Sequence, residues 1–163
     1  MKSIQPKETV CEEIQIMGLS VRTNNANEMK ADMAKIGTLH GTFNQQVEVD
    51  YENGANLYGL YYDYESDHAG DFSVLVGAEE GALKTTAHLE GVTIPANKYL
   101  IFSGTGEMPQ VVIDVWDDIW CYFSTESSVG ASFDRKPKYK RSFTMDFERY
   151  TSANSVDVYI AIL

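Results

Sequence analysis

The stretch Ser142-Phe143-Thr144-Met145-Asp146-Phe147-Glu148-Arg149-Tyr150, followed after Thr151 to Ser155 by Val156-Asp157-Val158-Tyr159-Ile160-Ala161-Ile162-Leu163, decides the fold. Polar and apolar residues alternate with period two through both halves, the signature of half-buried strands. The first strand puts Thr144, Asp146, Glu148 and Tyr150 on one face. The second puts Asp157, Tyr159 and Ala161 on one face and Val156, Val158, Ile160 and Ile162 on the other. The polar residues between them suit a short hairpin loop. A hairpin that presents carboxylates among tyrosines, backed by an aliphatic face, is suited to line a pocket for an aromatic cation. An ordinary solvent-facing sheet surface has the same pattern, so both readings stand at this point.

Working back from the hairpin, a polar loop spans Ser127 to Arg141. Before it, Gln110 to about Thr125 reads as a helix. Val112, Val115, Trp116, Ile119, Trp120 and Phe123 form a wide apolar stripe, and Pro109 suits the helix's first turn. Gly104-Thr105-Gly106 is expected to be a turn. Ala87 to Ser103 is extended, broken at Pro95 and ending in Lys98-Tyr99-Leu100-Ile101-Phe102. The same order appears earlier in the chain. Glu12 to Arg22 is a strand, Glu28 to about Val47 a helix carrying Met29, Met33, Ile36, Phe43 and Val47, and Asn56 to Tyr64 with Asp71 to Ala78 a hairpin around Glu65 to Gly70. The expected fold is therefore α+β: a single domain over residues 1–163, built from two strand–helix–strand–strand modules at about 12–80 and 87–163. Its antiparallel sheets, two helices and central ligand groove follow from that duplication.

The chain of 163 residues carries a net charge of −11, which argues against contact with DNA over a broad surface, since phosphate contact needs clustered Lys and Arg. An acidic surface does suit the attraction of cations. Cys11 and Cys121 are far apart and form no CxxC pair, which fits a reduced, cytoplasmic setting rather than a disulfide framework. No stretch approaches the ~20 apolar residues of a membrane span, and the first residues lack the apolar core of a signal peptide.

Enzyme signatures are sparse. No G-x-S-x-G elbow, H-E-x-x-H pair, phosphate-binding loop or dinucleotide fingerprint is present, and no cofactor is expected. His40, His68 and His88 stand at no metal-ligand spacing and read as surface or helix-end residues, so no metal site is expected. Arg135-Lys136-Pro137-Lys138-Tyr139-Lys140-Arg141 is a basic run, read as a solvated loop or as a small patch for an anionic partner.

The aromatic residues remain. Tyr58, Tyr61, Tyr62 and Tyr64 crowd one strand, Trp116 and Trp120 lie one turn apart on a helix, and Tyr150 and Tyr159 sit in the terminal hairpin. Such spacings serve a core as readily as a ligand box. A glutamate among them changes the balance, because a buried, unpaired carboxylate is costly and a cation stacked on the rings would pair with it.

At this point the residues resemble a known family. Tyr58-Gly59-Leu60-Tyr61-Tyr62-Asp63-Tyr64-Glu65-Ser66-Asp67, Gly70-Asp71-Phe72-Ser73-Val74-Leu75-Val76-Gly77-Ala78-Glu79, Ile94-Pro95-Ala96-Asn97-Lys98-Tyr99, Trp116-Asp117-Asp118-Ile119-Trp120, Asp146-Phe147-Glu148-Arg149-Tyr150 and Val158-Tyr159-Ile160-Ala161-Ile162 together resemble the GyrI-like small-molecule-binding domain. That domain is also the effector-binding half of bacterial AraC- and MerR-type transcription regulators. The likeness is to its integron-associated effector-binding branch.

The resemblance implies a groove between the two modules that takes amphipathic, aromatic, cationic compounds with multidrug-like breadth. It carries the family's central glutamate onto Glu148, a second acidic position onto Asp157 and the last strand's tyrosine onto Tyr159. Asp157 is one methylene shorter than the family's usual glutamate, and Ala161 stands where proline is common. The ligand-binding set expected is Glu148, Tyr150, Tyr159, Asp157, Trp116, Trp120, Phe102, Tyr58 and Tyr61. The expected partner is a hydrophobic cationic small molecule, with no catalytic residue, no membrane and no direct DNA contact, the chain leaving no room for a helix-turn-helix domain. Two alternatives are kept: a hydrolase of strained electrophilic rings using Glu148 with Tyr150 or Tyr159, and a protein-interaction inhibitor of the gyrase-inhibitor type.

Overall fold

A computed structural model describes residues 6–51, 54–66, 70–83, 89–123 and 139–163. In chain order the strands are β1 (Lys7–Cys11), β2 (Ile14–Thr23), β3 (Leu57–Tyr62), β4 (Phe72–Glu79), β5 (Glu90–Ile94), β6 (Asn97–Thr105), β7 (Met145–Ser152) and β8 (Ser155–Ala161). The helices are α1 (Asn25–Glu28), α2 (Ile36–Gln46) and α3 (Gln110–Phe123).

β7 and β8 form the hairpin their alternation predicts, and β3–β4 forms its counterpart. The expected sheets merge into one. Its eight antiparallel strands run β1-β6-β8-β7-β3-β4-β2-β5, and the repeat is visible in that order. In both β2–α2–β3–β4 and β6–α3–β7–β8 the third strand sits between the other two, and the second strands, β3 and β7, meet at the centre. The edges are exchanged: β1, which precedes the first module, pairs with β6 of the second. β5, which precedes the second module, pairs with β2 of the first.

The sheet is curled, and its two faces bury different cores. One face collects Ile16, Tyr58, Leu60, Leu75, Ile94, Tyr99, Phe147 and Tyr159 inside the curl. The other carries both helices. α2 sets Leu39 and Phe43 on Phe72, Val74 and Val76 of β4. α3 sets Val111, Val115 and Ile119 on Leu100, Phe102, Val156, Val158 and Ile160. Neither helix covers the central strands β3 and β7, so a groove opens between them. Among the described residues no helix is long and apolar enough to cross a membrane.

Several expectations change. The helix foreseen from Glu28 to Val47 is broken, because the Glu28 carboxylate accepts hydrogen bonds from the backbone N–H groups of Lys35 (2.9 Å) and Ile36 (3.1 Å) and so ends one helix and starts the next. Met29, counted in its apolar face, is 88% exposed. β1 was not foreseen as a strand, since its partner β6 lies in the other module. Gly104 and Thr105 belong to β6 rather than to a turn. A Cβ at Gly104 would lie 2.6 Å from a methyl group of Val115, so glycine lets α3 approach the strand. The end of the expected helix at Thr125, most of the loop from Ser127, the run Arg135 to Lys138, part of the turn Glu65 to Gly70, His68 and His88 lie outside the described residues.

Candidate functional site

The groove holds a cavity of about 1170 Å³, bounded by α1, α2, α3 and the helical face of β3 and β7. Its floor follows from strand register. Tyr150, Glu148 and Asp146 of β7 stand opposite Leu57, Gly59 and Tyr61 of β3, and because side chains alternate these six share the helical face. Gly59 makes room for its neighbour: a Cβ there would lie 2.9 Å from Glu148 Oε1.

Glu148 is 2% exposed and receives three donors. Tyr61 Oη donates to its Oε2 at 2.8 Å, Trp116 Nε1 to the same oxygen at 2.7 Å, and Tyr150 Oη to Oε1 at 2.8 Å. No Lys or Arg lies within ion-pairing distance of it among the described residues. Burial first, and then the neighbouring Glu148 charge, hold the Tyr61 hydroxyl well above the ordinary phenol range, and the same two causes raise Tyr150. Both phenols therefore stay protonated and act as donors. The arrangement suits an anionic acceptor at the bottom of an aromatic well.

The walls are rings. The Tyr61 ring lies 5.2 Å from Trp116 at 65° and 5.8 Å from Phe72. His40 meets Tyr150 edge-on at 6.0 Å. Burial pushes the His40 pKa down, and Glu148 partly offsets that. Among the described residues no three His, Cys, Asp or Glu side chains converge as metal ligands.

Five of the nine predicted residues meet at this cavity: Glu148, Tyr150, Trp116, Trp120 and Tyr61. The structure places the other four elsewhere. In the hairpin register Glu148 pairs with Val158 and Phe147 with Tyr159, so Tyr159 and Asp157 point to the opposite face of the sheet. There the Tyr159 ring stacks on Phe147 at 4.3 Å and 9°, and Asp157 accepts from Ser103 Oγ at 2.6 Å. Tyr58, an odd step from Tyr61, lies on that same inner face against Phe147. Phe102 is on the helical face but beneath α3, packed against Tyr122 and Phe123. Alternation within each strand was read rightly. The pairing between strands, which one sequence does not carry, assigns the faces.

Sequence reasoning missed His40, Tyr64, Arg141 and Gly59. α2 carries two stripes one residue apart: Leu39 and Phe43 face the core, while Ile36, His40 and Asn44 face the cavity. α3 repeats this, with Val111, Val115 and Ile119 buried and Val112, Trp116 and Trp120 lining the cavity. Val112, one of the residues of the expected apolar stripe, lines the cavity, while its neighbour Val111, outside that stripe, is buried against the sheet. The i, i+4 spacing of Ile36 and His40 was the available signal.

A family model described as integron-associated effector binding protein matches residues 9–162. An integron cassette protein from the mobile metagenome of Vibrio cholerae is 35% identical, with 97% of this chain and 95% of that one covered and a TM-score of 0.81. SAV2435, solved bound to tetraphenylphosphonium, shares the fold at 14% identity and a TM-score of 0.64, covering 98% of this chain and 94% of its own. The EcmrR C-terminal domain does so at 13% and 0.51, covering 98% of both. No curated protein sequence gives a match.

Proposed function

Since the chain belongs to the family of integron-associated effector-binding proteins, we propose that it is a binding module for amphipathic aromatic cations, which enter the groove between α2 and α3 with Glu148 as their counter-charge. One observation carries the reading: a carboxylate buried among aromatic rings accepts three hydrogen bonds, yet has no cationic partner among the described residues. Hydrogen bonds stabilise the anion without cancelling its charge, so the well keeps a negative potential in a low-dielectric setting. A cation over Trp116 and Tyr61 would gain roughly 0.5–2 kcal/mol per ring as well as the attraction of Glu148. Ring stacking tolerates varied shapes, which gives breadth of the multidrug kind. The tetraphenylphosphonium bound to the distant relative SAV2435 supports the same ligand class.

The hydrolase alternative needs a carboxylate with an oxygen free to hold water. Here Glu148 Oε2 accepts from two protein donors and Oε1 from one, so a water could be held only on Oε1, and the pair of measurements that separates the readings is turnover against saturable binding. The acidic balance of the chain further favours a binder that meets cationic ligands rather than DNA.

The test is tryptophan emission. Trp116 and Trp120 are the two tryptophans of the chain, and both line the cavity. Tetraphenylphosphonium is expected to change their emission saturably at one equivalent. Emission that drifts linearly, with no heat of binding by calorimetry, would contradict the proposal.

A further inference from the structure

α2 and α3 present matching stripes to the cavity, Ile36, His40 and Asn44 from one and Val112, Trp116 and Trp120 from the other. One step further round each helix the match ends. α3 continues with Ile113 and Asp117, which line the cavity at its mouth, Ile113 being 48% exposed. α2 continues with Gly37, which lines the cavity but brings no side chain to it. Among the described residues nothing calls for glycine there. Its backbone is that of a right-handed helix, and the described glycines with positive φ are Gly54 and Gly106. A Cβ at Gly37 would meet no atom within 4 Å, whereas at Gly59 or Gly104 it would press on a neighbouring side chain. Glycine also weakens a helix relative to alanine. The chain bears that cost at a cavity wall, where the space a side chain would take belongs to the cavity.

Resting on the reading of the cavity as a cation site, we propose that Gly37 is a specificity residue that sets ligand size. The bare first turn of α2 admits cations that are bulky in three dimensions, and a side chain there would restrict the cavity to flat ones. A flat aromatic cation lies between the two matching stripes, its face on Trp116 and its charge at Glu148, and does not need the space at Gly37. A tetraaryl cation sends further rings out of that plane, and Gly37 is where α2 gives room for one. The cavity has the capacity: its volume of about 1170 Å³ is above the roughly 300–1,000 Å³ usual for a drug-sized ligand. Specificity here lies in what a missing side chain fails to exclude.

The experiment titrates tetraphenylphosphonium and the planar N-methylacridinium, each a monocation, into wild type, Gly37→Ala and Gly37→Leu by calorimetry. Gly37→Leu is expected to lose about tenfold or more in affinity for tetraphenylphosphonium, within the cost of overpacking, and less than about twofold for N-methylacridinium. Gly37→Ala should lose about threefold for tetraphenylphosphonium alone. Urea unfolding separates this from a structural role, because Gly37→Ala should raise the midpoint while it lowers that affinity. If Gly37→Leu does not fold, Gly37→Ala decides alone. Three results overturn the size role while leaving the cation reading in place: unchanged affinity for tetraphenylphosphonium, equal losses for the two cations, or a wild type that does not take the flat cation. A midpoint lowered in Gly37→Ala overturns it too, by giving the glycine a structural reason. Failure of both cations to bind the wild type overturns both readings.

Discussion

Asp146 and Glu148 stand two residues apart on one face of β7, both closed off from solvent, and the sequence around them is alike. Their surroundings differ in kind. Asp146 has a guanidinium, a phenol and a backbone amide, so its charge is cancelled within the protein. Glu148 has two phenols and an indole, which are dipoles without net charge. Burial alone therefore does not mark a carboxylate as functional. On the proposed reading, the charge left over after its partners are counted does.

The largest effect expected from this contrast is on stability. Asp146→Ala strips Arg141 of its carboxylate and leaves a buried guanidinium unpaired, which costs about 3–5 kcal/mol, read as a shift of the urea unfolding midpoint. Glu148→Gln keeps the shape of the side chain and leaves no buried charge behind, so it is expected to cost about 1 kcal/mol or less. Equal losses from the two substitutions would break the distinction.

A smaller effect is expected at Gly59. Gly59→Ala brings a methyl group to 2.9 Å from Glu148 Oε1, which forces the carboxylate off its donors. Affinity for tetraphenylphosphonium should fall by about fivefold, with the unfolding midpoint changed less than in Asp146→Ala. Affinity at the wild-type value in Gly59→Ala would show that the carboxylate's position is not critical.

The smallest effect concerns acid. His40 lines the cavity beside Tyr150 and Glu148, and burial holds its pKa below the ordinary 6.5. It is therefore neutral at pH 7. As pH falls below that range it gains a charge that competes with a ligand cation for Glu148, and affinity drops. The same sign holds for folding: the unfolded chain binds this proton more readily, so stability declines as pH falls from 6.5 towards the depressed value. Between pH 7.5 and 5.5 the affinity for tetraphenylphosphonium should weaken by about twofold to threefold, and His40→Gln should flatten that slope. Glu28 and Asp117 also line the cavity, and the His40→Gln comparison separates the contribution of His40 from theirs. A slope unchanged in His40→Gln would assign it elsewhere.

Much of this arrangement was legible in the chain, and the limits are physical. Period two in Met145 to Ala161 and the repeated module order announce the α+β fold, and Glu148, Trp116 and Tyr61 announce an aromatic well around a carboxylate. Tyr159 and Asp157 were misplaced because the choice between the two faces of a hairpin depends on one residue of register, set by Phe147 stacking on Tyr159. The break before α2 was hidden because Glu28 caps it from outside the helix, a contact that helical periodicity does not encode. His40 was passed over because a lone histidine carries no signal until α2 is seen to turn that stripe towards the groove.

The central claim is that Glu148 supplies a net negative charge to its ligand and not merely an acceptor. Calorimetric titration of tetraphenylphosphonium and of a neutral triphenyl compound into wild type and Glu148→Gln tests it directly. The cation is expected to lose tenfold or more in affinity, about 1.4 kcal/mol or greater, while the neutral compound changes by less than about twofold. Equal losses for the two compounds, or no loss for the cation, would contradict the account.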